Sequence, residues 1–324
     1  MGLLDSLRTA VAVVSSRVSA AVKPARAPPA ATPAAATGFS KDSAFVGGKS
    51  SSIETAVARR LDRNLPMRLF GSSQAERLAN LPRLTQIDGN QKSEQDRTTC
   101  GIQCVVASIY VKHPEQLPKV AAYLTDKQGS KLEQWSKECG LDPRQARADL
   151  EAIKAGTASP RQLSTLSQLL FRDTKARTDE KLGAMTPLAR ALIQNQPSAT
   201  DGGLNREALQ ILTRDILKNE CGCQAGPIEM SLRSVPGGGA HWVAQMDVAS
   251  MADIQDGAKN DMVVTFDPAP DRNGLSPTGV AFNRAGADFQ QEQARGKPLE
   301  EVDVLADGTI KKEEPLPIPD DLRR

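Results

Sequence analysis

The hydrophobic pattern of this chain changes period once, near Gly226, and that change restricts the folds open to it. Before it, apolar residues recur at helical spacing in segments 117–124, 130–139, 143–155, 159–171, 186–194 and 205–219. The stretch "SPRQLSTLSQLL" adds a serine cap and a proline at the first helical position, both marks of a helix start. After it, "PIEMSLRSV", "HWVAQMDV" and "DMVVTFDP" alternate apolar and polar residues, as strands do, separated by "PGGGA" and by a longer polar connection. Helices first and antiparallel strands afterwards give an α+β class, not an alternating parallel one. The continuous apolar run "CGIQCVVASIYV" at 100–111 has the length of a buried helix, although its β-branched residues also suit a strand.

Composition sets the boundaries. Residues 1–52 open with an amphipathic segment (Leu3, Leu4, Leu7, Val11 and Val14 on one face) and continue as an Ala/Pro-rich tract, "KPARAPPAATPAAATG". Proline at that density denies both helix and sheet ladders, so a disordered linker is expected. Residues 53–90 read as short helices leading into the main domain, one of them at 72–81 with Ser72 or Ser73 as N-cap and Glu76 in the capping-box region. The main domain is expected at 91–289. Residues 290–324, ending "KKEEPLPIPDDLRR", lack a periodic apolar face and read as a charged, proline-containing tail.

The same composition excludes several functions. Aromatics make up 3% of the chain, too few for a platform on which nucleic-acid bases stack. A net charge of +2 exerts little pull on nucleic acid or anionic lipid. No apolar run reaches the roughly 18–20 residues that span a bilayer, so no integral membrane segment is expected. The N-terminus has no basic region ahead of its apolar stretch, and Asp5 lies there instead, which points to a cytoplasmic protein or one exported without a classical signal peptide. Two histidines, His113 and His241, rule out a histidine-rich metal site and leave two candidates for imidazole chemistry.

Three pieces could carry such chemistry. In "QDRTTCGIQC", Cys100 opens the apolar helix behind Thr98 and Thr99 as caps, where the positive end of the helix dipole favours a thiolate. Gly101 lets backbone approach a substrate, and the Cys100 amide can point at a developing oxyanion. In "PGGGAHWVAQMDV", His241 starts a strand after a glycine-rich turn, in position to act as general base and acid. In "MVVTFDPAP", Asp267 ends the next strand, where its carboxylate can fix the histidine tautomer. His113, in "VKHPEQ", reads as a surface residue at a helix end.

The order Cys100-Gly101, then His241-Trp242-Val243, then Asp267-Pro268 resembles the papain-like cysteine peptidase superfamily, nearest its bacteriocin-processing, double-glycine-leader branch. The resemblance covers three short islands. It implies a helical lobe carrying the cysteine, packed on an antiparallel sheet carrying His and Asp. It also implies a thiol peptidase with a peptide or protein substrate and no cofactor. The family's oxyanion glutamine stands six residues before the nucleophile, where this chain has Glu94; Gln95, one residue closer, is the candidate, and the offset departs from the family pattern. The extensions at both ends fit delivery or tethering segments of an exported bacterial effector or processing enzyme.

Other readings stand beside this one. Cys104, one turn after Cys100, fits a small buried hydrophobe. Cys100, Cys104, Cys221 and Cys223 reach the count of a structural zinc site, with atypical spacing. The chain could also be an inactive peptidase-like scaffold, or an interaction protein using its helical segment 117–219.

Overall fold

The computed structural model describes residues 65–84, 99–199, 202–234, 239–248, 262–268, 278–281 and 298–312. The whole of the expected N-terminal segment and linker at 1–52, the segment at 91–98 and the extreme C-terminus lie outside them.

The helical half begins with a two-residue strand β1 (Met67–Arg68) and helix α1 (Gln74–Asn80). Ser73 is the N-cap of α1 and forms a reciprocal capping box with Glu76, as the sequence predicts. Helices α2 (Cys100–Lys112), α3 (Leu117–Ala122), α4 (Gly129–Glu138) and α5 (Pro143–Lys154) follow. After β2 (Thr157–Ala158) come α6 (Pro160–Gly183), α7 (Pro187–Gln194) and α8 (Arg206–Gln210). Two of these helices run on as π-helix, α3 through Tyr123–Lys127 and α8 through Ile211–Glu220.

Helix α2 is the hub. Every residue from Cys100 to Val111 is buried, which is how a helix apolar on all sides behaves in a globular domain. It packs on α1, α6 and the sheet, so the β-branched content that also suited a strand is accommodated by tertiary packing. Helices α5 and α6 are tied by a buried carboxylate. Asp149 is 1% exposed and accepts both guanidinium nitrogens of Arg161 at 2.7 Å, the Thr165 hydroxyl at 3.0 Å and the Gln145 amide at 2.9 Å. That set of bonds satisfies a charge that burial alone would penalise.

The second half is a six-stranded antiparallel sheet in the order β6-β5-β4-β3-β7-β8. Its strands are β3 (Ile228–Ser234), β4 (Ala240–Val248), β5 (Met262–Phe266), β6 (Thr278–Ala281), β7 (Pro298–Val304) and β8 (Ile310–Lys312). The described chain is therefore α+β, with helices followed by an antiparallel sheet. Among the described residues no helix is long and apolar enough to cross a membrane.

Two boundaries need correction. Residues 53–90 are not merely a lead-in: Met67, Leu69 and Leu81 lie in the same core as α2, and β1 pairs with β2. Residues 290–324 are not wholly a tail, because β7 lies beside β3 inside the sheet and buries Val302 and Val304. Its third inward position is Glu300, which is 6% exposed and meets Arg206 at 2.9 Å. A carboxylate in the alternating register hides the strand from a search for apolar periodicity. The hairpin beyond it is anchored by Gly308, whose φ of 80° only glycine adopts readily and whose carbonyl accepts from Gln210 and Thr213. A chain ended at residue 297 should lose at least the burial of the two valines, about 3–6 kcal/mol. Thermal unfolding followed by circular dichroism should show a much lower melting temperature or no transition, and an unchanged melting temperature would show the hairpin to be dispensable.

Candidate active site

The start of α2 meets the sheet where β4 begins. Gly101 makes this approach close: a Cβ there would stand 3.1 Å from Trp242 Cδ1 and 3.3 Å from Leu209 Cδ2. The glycine therefore serves helix–sheet packing, not substrate approach as its sequence context suggested. Trp242 is fully buried against it, with its indole N–H donating to the Leu204 carbonyl at 2.8 Å. Thr99 is the N-cap residue of α2 but makes no side-chain capping bond. Amides of a helix's first turn have no acceptor one turn back, so the Cys100 N–H is a donor that the helix itself does not use.

Sheet register brings the histidine and the aspartate together. Ala244 pairs with Phe266, and continuing that register by one residue sets Asp267 opposite Val243. Residues two apart on a strand share a face, so His241 and Asp267 are diagonal neighbours within side-chain reach. His241 Nε2 and Asp267 Oδ1 lie 3.0 Å apart, with the histidine 7% and the aspartate 1% exposed. Cys100 is near enough to the same imidazole for its charge to be the largest influence raising that histidine's pKa. With Nε2 committed to Asp267, Nδ1 is the nitrogen left for the thiol. Cys100 is itself only 1% exposed, so a substrate reaches the sulfur only where the surrounding chain gives way.

The electrostatics follow from this arrangement. Burial pushes the His241 pKa down, but the negative charge that Cys100 and Asp267 can each carry, together with the hydrogen bond that Asp267 accepts, outweighs it and raises the value to about 9. A histidine raised above its ordinary 6.5 favours the folded state fully below that ordinary value. The contribution is lost as pH climbs through about 9. Cys104 is pushed well up, first by burial and then by the charges of Cys100 and Asp267. Its thiol donates to the Trp242 carbonyl at 3.5 Å, which makes it the inert buried cysteine of the pair.

The other candidates fall elsewhere. His113 caps the far end of α2, 3.8 Å from Glu115. Gln95 and Glu94 lie outside the described residues. Cys221 and Cys223 follow the second π-helix, and Cys223 bonds the Gln116 carbonyl at 3.6 Å. Among the described residues no three His, Cys, Asp or Glu side chains converge to hold a metal, so the four cysteines of the zinc reading do not form one site. Sequence reasoning passed over Arg233, which is directly across the β3–β4 pair from His241, 2% exposed and 3.6 Å from Glu301. It follows Leu232 and lies on the sheet face opposite to that of Trp242, where nothing in the local sequence pattern announced its burial.

A small recess lies between Leu84, α2 and α6, with Gln103, Ser164 and Ser167 among the residues that line it. No protein-family model, curated protein or solved structure matches this chain.

Proposed function

We propose that the chain is a thiol hydrolase of papain-like organisation, a peptidase that works by acyl transfer through a Cys100 thioester. The observation that carries the reading is the meeting of three side chains from separate elements. Cys100 opens a buried helix, His241 lies across the helix–sheet junction within reach of its charge, and Asp267 stands 3.0 Å from Nε2 of the ring. Cysteine, imidazole and carboxylate in that sequence of contacts are the parts of an activated nucleophile.

In this mechanism the Cys100 thiolate attacks the substrate carbonyl carbon. Negative charge developing on the carbonyl oxygen is met by the Cys100 amide and the positive end of α2, with Gln95 as the side-chain donor. His241, protonated and held by Asp267, gives its Nδ1 proton to the leaving amine and becomes the neutral base. It then takes a proton from the water that attacks the thioester, which returns Cys100 as thiolate and releases the acid. The substrate class, a peptide or protein, rests on the papain-like order of Cys100, His241 and Asp267 along the chain. The three side chains and the α2 terminus supply every step.

Incubation with an activated ester of a blocked peptide, followed by rapid acid quench and intact-mass measurement, tests the reading. An acyl adduct that maps to Cys100 and decays on dilution is expected. Adducts spread over several cysteines, or none under conditions where the free ester survives, would overturn it.

A further inference from the structure

Cys221 and Cys223 take no part in that site, and their geometry points to a chemistry of their own. The two π-helical segments end beside each other. Lys127, at the end of the first, donates to the Glu220 carbonyl at 3.3 Å and to its carboxylate at 3.0 Å at the end of the second. π-helical turns are uncommon and gather at functional positions.

Cys221 closes the second segment, its N–H donating to the Ile216 carbonyl at 3.0 Å. Gly222 then turns the chain with a φ of 62°, and the Cys223 N–H returns to the Leu217 carbonyl at 2.8 Å. This reversal folds Cys223 back toward Cys221. The Cys223 thiol lies 3.6 Å from the Cys221 carbonyl oxygen, and the two thiols are near enough for each to shift the other's titration. Exposure divides them: Cys221 is half-buried, while Cys223 is 1% exposed.

Their titrations diverge for the same reason. The bond to Cys223, then burial, raises Cys221. That bond holds Cys223 below the ordinary thiol value, with the Lys119 ammonium countering burial. One proton is in effect shared between two sulfurs. By contrast Cys139 is buried at 4% exposure, with its thiol on the Gln168 carbonyl at 3.8 Å.

We propose that Cys221 and Cys223 form a redox-active dithiol that exchanges with low-molecular-weight disulfides, separately from Cys100. With one tight turn at Gly222 between them and the Cys223 thiol at the Cys221 carbonyl, a local rearrangement can bring the two sulfurs to the roughly 2.05 Å of a disulfide. The one-residue spacing closes a small ring, and strained disulfides are the readily reduced ones.

In the forward direction the proton of Cys221 passes to Cys223, and the half-buried Cys221 thiolate attacks one sulfur of the external disulfide. A Cys221 mixed disulfide forms and the first small thiolate leaves. Cys223 gives up its proton to that thiolate and attacks the Cys221 sulfur, expelling the second small thiolate, which solvent protonates. Two protein thiols are oxidised to one disulfide, and one external disulfide is reduced to two thiols.

The test uses the full chain and glutathione disulfide near neutral pH, with acid quench and peptide mass mapping. The expected product is an internal Cys221–Cys223 disulfide, seen as loss of both free thiols from that peptide and a mass lower by two hydrogens, reversed by reduced glutathione. Cys223→Ser should instead accumulate glutathione on Cys221. Cys100→Ala should react as the parent does, which separates this proposal from the hydrolase reading. A lasting glutathione adduct on Cys221 of the parent chain, or free thiols at both positions after unfolded chain has reacted fully, would overturn it. The parent chain alone decides between these outcomes, even if the serine variant fails to fold.

Discussion

Cys100→Ala should abolish thioester formation and lower turnover of any accepted peptide ester by about 10⁴-fold or more, the scale on which removal of a nucleophile acts. Its effect on folding should be slight. Cys100 is buried and alanine removes a single sulfur, so the cost should be about 1 kcal/mol. Urea unfolding and ester turnover measured on the same sample separate the two effects. Asp267→Asn should act in a different way. It keeps the shape of the side chain but removes one of the charges that hold His241 at about 9. The alkaline limb of the hydrolysis profile, set by loss of the proton that His241 gives to the leaving group, should then move to lower pH. An unchanged limb in the asparagine variant would mean that His241 is not the titrating acid.

Trp242→Ala should be the most damaging single change to stability. Trp242 is fully buried between β4 and the start of α2, against the side of Gly101 that faces the sheet. Large-to-small changes of buried aromatics cost about 3–5 kcal/mol, and this one also leaves the Leu204 carbonyl without its indole donor. Domains of this kind hold about 5–15 kcal/mol in total, so a third or more of the stability should go. Equilibrium denaturation in urea checks it. Because the same contact sets the α2–β4 junction, the variant should also disturb the placement of Cys100 beside His241, and its ester turnover should fall further than its folded fraction.

The helical half and the three central strands were legible because their side chains obey one period at a time. Ser73, Glu76 and Ser159 carry the capping chemistry that helix starts require, and each occupies the expected position. Strand β7 was not legible because Glu300 occupies an inward position that only its pairing with Arg206 explains, and Arg206 is distant in sequence. β6 is short, and nothing local distinguishes Thr278–Ala281 from a loop. At the site, the residue types and their order were visible, but their roles were not all so. Gly101 needed the position of Trp242 before its function in packing appeared. Cys104, already readable as a small buried hydrophobe, is fixed in that role by its bond to the Trp242 carbonyl. Cys221 and Cys223 matched a metal count, yet the tight turn at Gly222 pairs them with one another and not with α2.

The rate at which iodoacetamide alkylates Cys100, measured across pH in the parent chain and in His241→Ala, tests the central claim most directly, with Cys221 in the same sample as internal reference. If His241 holds Cys100 as half of an ion pair, the variant should lose about 10- to 100-fold in rate at neutral pH, in line with the tenfold change that each pKa unit represents. It should regain that rate only in alkaline solution, and Cys221 should be unaffected. Equal rates at Cys100 in the two proteins at neutral pH, or a parallel fall at Cys100 and Cys221, would contradict it.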